Sequence, residues 1–326
     1  MNAPAIVAAV CGILFAVCAG AQGWSPQRNV EVIVPASAGG SLDTTGRTVT
    51  RVWGDMKLLP VSTTISNRAG GGHAVAYSYL NQRPSDPHFL AITSSTLLAS
   101  HINGHIALTY TDFTPLAVLL TEYIAFAVRA DSPIKTGKDL IDMLRKSPAS
   151  LSLAISSAAG GTHHISFGLP LLSAGVDTTR LKFVAFNSSA EAVTALLGGH
   201  VDVVSAGTVN VVPQVESGKL RALAVTSAKR LTGTLAAAPT WPELGYKGAF
   251  DNWRGVIGAK GITPEQSAYW ENVFRRVTGS DDFRQYAEQN QWDANFKGPD
   301  ESRRFMEQQY NELKGVMTYL GLAKKP

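Results

Sequence analysis

The chain has 326 residues, 45% of them hydrophobic and 17% charged, which is the composition of a folded globular protein and excludes a disordered or fibrous one. Its formal charge is a mild +4, with Lys and Arg scattered and no basic block or basic–aromatic interleaving, so composition offers no nucleic-acid surface. The length is enough for two domains with separate cores.

Residues 1–21, MNAPAIVAAVCGILFAVCAGA, contain no charged side chain. The apolar stretch from Ile6 to Val17 is short for a bilayer span and ends in Ala19-Gly20-Ala21, an A-x-A cleavage pattern. The expectation is a removable signal peptide, with one departure: no Lys or Arg precedes the apolar run. Val17 before Cys18 argues against a lipoprotein cleavage site. Both cysteines, Cys11 and Cys18, fall inside this segment. The mature chain is therefore expected to hold no disulfide, no thiolate metal site and no cysteine nucleophile. No later run is apolar for long enough to span a membrane, so the mature protein is expected to be exported and soluble.

The first strand is predicted over Val30–Val34. It breaks at Pro35, passes through a small-residue loop holding Gly39 and Gly40, and enters a helix over Leu42–Trp53 with Asp43 and Arg47 at i,i+4. A strand, a glycine loop and a helix start present bare backbone N–H groups to an anion. A second strand, Ser62–Asn67, leads into Arg68-Ala69-Gly70-Gly71-Gly72-His73 and a helix through Leu80. A third, Phe89–Thr93, ends in Ser94-Ser95-Thr96.

A second set of units begins near residue 125. Ile124–Val128 reads as a strand, Thr136–Arg145 as a helix, and Leu151–Ile155 as a strand leading to Gly160-Gly161-Thr162-His163-His164. Phe183–Ala185 leads into Asn187-Ser188-Ser189 and an alanine-rich helix. Val201–Val204 leads into Ser205-Ala206-Gly207, and Ala222–Thr226 is a further strand. The C-terminal part reads as helical, opened by Thr263-Pro264-Glu265-Gln266, an N-cap followed by Pro at the first helical position and a capping-box Gln. Later helices follow over Asp281–Gln289 and Asp300–Tyr319. Alternating strands and helices predict mostly parallel sheets in two α/β lobes facing each other across a cleft.

The usual enzyme signatures are missing: no G-x-S-x-G elbow, no phosphate-binding G-x-x-x-x-G-K-[ST], no H-E-x-x-H, and no G-x-G-x-x-G after the first strand. His101 and His105 have i,i+4 spacing, but Asn103 and Gly104 between them oppose the helix that a metal pair needs, so no metal is expected. His163 and His164 are adjacent and point in different directions; one could face the cleft, or either could bond to backbone at a helix start. Asp43 could orient a ligand or could simply be a first-turn acid favoured by the helix dipole. Each glycine run could serve only a tight turn. Three such runs between strand and helix, with serines and threonines at two further strand ends, make an anion-holding site the stronger reading, with donors enough to hold a carboxylate without any arginine.

The segment PASAGGSLDTTGR resembles the P-x-x-P-G-G-x-x-D-x-x-x-R segment of the substrate-binding proteins of tripartite tricarboxylate transporters, the Bug family. NRAGGGHAVA resembles that family's N-R-P-G-A-G-G loop. RADSPIKTGKDL, FVAFNSSAEAVTALLGGHVDVV, VESGKLRALAVTSAKR, PTWPELGY and WRGVIGAKGITPE follow in the family's order, so the likeness covers nearly the whole mature chain. It implies a type II periplasmic-binding fold, with residues 22–124 and 246–326 in one lobe and 125–245 in the other. It also implies a di- or tricarboxylate ligand between the lobes, no cofactor, a monomer in the periplasm, and membrane permease subunits as partners. On that pattern Gly39, Gly40 and Asp43 lie in the first ligand loop, Gly70, Gly71, Gly72 and His73 in the second, and Ser94, Ser95 and Thr96 close that lobe's side. Gly161, Thr162, His164, Asn187, Ser188, Ser189, Ser205, Ala206 and Gly207 face them from the other lobe, while Asp202 supports its loop. The chain departs from the pattern at Ala38 and Ala69, where the family favours Pro, and at His73, where it favours Gly.

Two other functions share these residues. The same fold could present its ligand to a two-component receptor, or a hydrolase or isomerase could use Asp43 and His164. Citrate, a C4 acid, an aliphatic diacid and an aromatic dicarboxylate all remain open as the ligand.

Overall fold

The computed structural model describes residues 23–156 and 158–324; the predicted signal segment and both cysteines lie outside them. The first units are β1 (Val30–Val34), α1 (Ser41–Asp55), β2 (Thr63–Asn67), α2 (Ala74–Asn81), β3 (Phe89–Ser94), α3 (Ser95–Ile102) and β4 (Thr114–Glu122). Next come β5 (Ile124–Arg129), α4 (Gly137–Lys146), β6 (Ser152–Ser156), α5 (Thr162–Ser173), β7 (Lys182–Phe186), α6 (Ser189–Leu197), β8 (Val203–Gly207), α7 (Thr208–Glu216) and β9 (Leu220–Val225). The chain ends with β10 (Asn252–Gly258), α8 (Pro264–Gly279), α9 (Asp281–Gln289), β11 (Trp292–Lys297) and α10 (Pro299–Tyr319). Among the described residues no helix is long and apolar enough to cross a membrane.

The strands form two sheets, ordered β11-β4-β10-β3-β1-β2 and β7-β6-β8-β5-β9. Parallel pairing is confined to β2-β1-β3 and β7-β6-β8. β10 runs antiparallel to β3 and β4, β11 to β4, and β5 to both β8 and β9. The expected mostly parallel sheets are therefore mixed. The antiparallel strands are those next to the crossings between sheets: β5 enters the second sheet one residue, Tyr123, after β4 leaves the first, and β10 and β11 return to the first sheet after β9. The C-terminal part is also not wholly helical, because it returns β10 and β11 to the first sheet.

Period-two alternation places the strand side chains. Val30, Val32 and Val34 face a core with α1, α8 and α9 through Val49, Trp53, Trp270, Phe274 and Phe283, while Ile33 faces α2, α3 and α10 through Tyr77, Leu97 and Met317. The second sheet is covered in the same way. Phe126 and Ile155 pack on Leu140 and Phe167 from α4 and α5, and Ala125 and Val204 on Leu196 and Val211 from α6 and α7. With helices on both faces of each sheet, the strand ends are what remain free to carry a site. Helix starts are locally specified: Thr136 with Asp139, and Thr263 with Gln266, form reciprocal capping boxes.

Candidate functional site

The loops after β1, β2 and β3 meet those after β6 and β7 and enclose a cavity of about 30 Å3. One lobe lines it with Ala36, Gly40, Ser41, Leu42, His73, Ser94 and Thr96, and with Asn252 and Arg254 of β10. The other contributes Ser156, Thr162, His163, Asn187, Ser188 and Ser189. Contacts across it are direct: Thr96 Oγ1 lies 2.7 Å from Thr162 Oγ1, and Asn210 Nδ2 donates to the Gly39 carbonyl at 2.9 Å. A cavity of this size holds roughly two waters. That is less room than an organic acid occupies.

The first loop is held from behind. Gly39 has φ +80°, and its N–H donates to Asp43 Oδ2 at 2.9 Å. Arg47 Nε donates to the same oxygen at 2.8 Å, and Asn67 Nδ2 to Oδ1 at 2.9 Å. Burial alone would push the Asp43 carboxyl up, but these donors outweigh it and hold it below the usual carboxylate range. With both oxygens occupied, Asp43 braces the loop and does not face the cavity.

The second loop is built differently. Gly70, Gly71 and Gly72 have φ of +121°, +58° and +61°, and His73 continues the left-handed run at +79°. For a non-glycine residue this backbone is strained. The glycines line an outer recess, while the His73 ring turns into the cavity, 6% exposed and edge-on to Tyr77 at 6.0 Å. Among the described residues its Nδ1 has no hydrogen-bond partner. Burial, with the Arg254 charge nearby, lowers its pKa to about 3, so the ring is neutral near neutral pH.

On the opposite side, Ser188 caps α6 by accepting from the Glu191 N–H, and Ser189 Oγ donates to Ser156 Oγ. Gly161 serves as the N-cap of α5 and does not line the cavity, nor does Ser95, which turns towards Asn252. Of the two adjacent histidines, His163 lines the cavity; the cleft-facing role expected for His164 is not where the structure places it. His164 Nδ1 accepts from the Gly160 N–H at 2.8 Å and its ring packs on Phe183 at 4.2 Å. One helical step, about 100°, separates the two directions. Ser205 sits behind the cavity, its Oγ 3.1 Å from His163 Nδ1, and Ala206 is in the core. Gly207 packs against Glu122 and Ser41, where a Cβ would overlap both. Asp202 accepts from the Ser152 N–H and hydroxyl at the far end of β6. His101 ends α3, whereas His105 lies beyond it, its Nδ1 on Asn103.

Sequence reasoning missed the strongest charge in the site. Arg254, 3% exposed in β10, is ion-paired through Nη2 with Glu122, which is fully buried at the end of β4. Its Nη1 donates to Asn252 Oδ1 at 2.8 Å and to the Trp253 carbonyl at 3.3 Å. Burial pushes the Glu122 carboxyl up, and the guanidinium pulls it back. The available signal was the charged residue inside the otherwise apolar strand NWRGVIG, since an arginine is almost never fully buried without a partner.

The family model described as "Tripartite tricarboxylate transporter family receptor" matches residues 51–322. Protein BugT of Bordetella pertussis (strain Tohama I) is 28% identical over 245 residues, 74% of this chain and 73% of its own. The periplasmic binding protein BugD superposes with a TM-score of 0.84 at 25% identity, covering 92% of this chain and all of that one. An adipate-bound protein of R. palustris superposes at 0.81 with 26% identity, covering 92% and 99%. The two lobes, the interlobe cavity and a match over most of its length together establish that this chain belongs to the tripartite tricarboxylate transporter receptor family of periplasmic solute-binding proteins.

Proposed function

We propose that the protein captures a small organic di- or tricarboxylate between its lobes, without chemistry, and delivers it to the permease subunits of a tripartite tricarboxylate transporter. The observation that carries this reading is the cavity itself: hydroxyls, neutral imidazoles, two amides and one buried guanidinium, lined by loops from both lobes. The lobes are residues 22–124 with 246–326, and 125–245, joined at Tyr123 and between β9 and β10. The export reading of residues 1–21 fits a periplasmic site of action, and the working unit is the monomer. A hydrolase or isomerase built on Asp43 and His164 loses support, because each is bonded within its own loop.

The test is calorimetry against a panel of carboxylic acids, with NMR of the incubated ligand. One acid bound per chain and recovered unchanged is the expected result. Conversion of the acid in proportion to protein, or silence across the whole panel, refutes the reading.

A further inference from the structure

Resting on the carboxylate reading above, the structure offers a sharper statement about how the ligand is chosen. Arg254 has five N–H donors. Nη1 uses two, on Asn252 Oδ1 and the Trp253 carbonyl, and Nη2 uses one, on Glu122 Oε2. The Nε–H, itself buried, has no acceptor among the described residues. A buried, unmatched donor thus remains on a guanidinium that lines the cavity, and a ligand carboxylate is the kind of acceptor it lacks.

Around it stand two further buried polar groups. His73 is held in a left-handed backbone with Nδ1 unpartnered, and His163 is fixed by Ser205 on its Nδ1. Beyond these, the cavity wall is hydroxyl and amide, with Ala36 and Leu42 its only apolar side chains among the described residues. A polymethylene chain or an aromatic ring laid on such a wall would desolvate polar groups without giving them partners, which is costly. A short acid carrying hydroxyls would satisfy them instead.

We propose that Arg254 is the charge anchor of the site, and that the pocket selects short, hydroxyl-bearing di- or tricarboxylates over aliphatic or aromatic diacids. Glu122 is a positioning residue: its carboxylate fixes the guanidinium at the cavity wall.

The experiment is calorimetry with malate, citrate, adipate and phthalate on the wild-type protein and on the double variant Glu122→Gln/Arg254→Gln. Both charges leave together in that variant, so no lone buried charge destabilises it. The wild type should bind malate or citrate at least about ten-fold more tightly than adipate or phthalate, and the double variant should lose at least about ten-fold on the preferred acid. The ranking needs no variant, so it stands as an independent arm. Preference for adipate or phthalate overturns the selectivity, and equal affinities in the two proteins overturn the role of Arg254. Binding of none of the four acids to the wild type overturns the carboxylate reading itself, a result distinct from either.

Discussion

The loops after β1 and β2 leave neighbouring strands of one sheet, both through glycines, and both open a helix. In the first, the polar groups are matched inside the protein: Gly39, Arg47 and Asn67 all donate to Asp43. In the second, His73 occupies a backbone conformation that suits glycine, is nearly fully buried, and keeps Nδ1 without a partner. A folded chain does not keep a strained residue and an unmatched buried nitrogen for stability. On the carboxylate reading proposed above, the first loop acts as scaffold and the second offers the ligand an unmatched group.

Acid should separate the two loops most strongly. His73 and His163 have pKa values lowered to about 3, and His164 to about 4, burial being the main cause in each. In the unfolded chain each imidazole takes up a proton near pH 6.5 while the folded chain does not. Stability is thus complete above about pH 6.5 and declines as pH falls towards the folded values, by roughly 1.4 kcal/mol per pH unit per histidine. Asp43 behaves differently: its carboxyl is depressed, so its contribution survives down to about pH 4 and goes only below that. Melting temperature measured from pH 7 to pH 5 should fall steeply, and His163→Gln should flatten the fall. A level profile over that range would contradict neutral burial of these rings.

Removing the brace comes next. Asp43→Ala strands three donors and should cost about 3 kcal/mol in denaturant unfolding. If that variant melts like the wild type but binds poorly, Asp43 belongs to the ligand and the contrast between the loops collapses. His73→Asn, by contrast, keeps a side chain that tolerates left-handed backbone. It should change stability by less than about 1 kcal/mol while weakening ligand affinity several-fold in calorimetry; loss of stability with affinity intact would make His73 scaffold too. The smallest effect is expected for Arg47→Lys. Arg47 is more than half exposed, so the loss should be about 0.5 kcal/mol by chemical denaturation, with no change in binding.

Much was readable from local pattern. The span of β1, the glycine turns after the strands, the capping box of α8 and the two-lobe α/β class all follow from residues close in sequence, because turn, cap and strand energetics act over a few positions. The choice between His163 and His164 was not readable: a one-residue helical step decides it, and the register of α5 on β6 and β8 sets that step. Nor was the fact that Ser205 and Gly207 lie inside a strand, one behind His163 and the other against Glu122.

By itself the sequence determined the repeating strand–loop–helix units and the abundance of small polar residues at the strand ends, since both depend on short-range backbone preference and on period-two or helical spacing. Only the tertiary structure decided that β10 enters the first sheet antiparallel, and with that the position of Arg254 beside Glu122, 132 residues away in the chain. A buried ion pair leaves no periodic trace. Each partner is merely a charged residue in an apolar run until sheet pairing brings the two together, and desolvation then makes the contact obligatory.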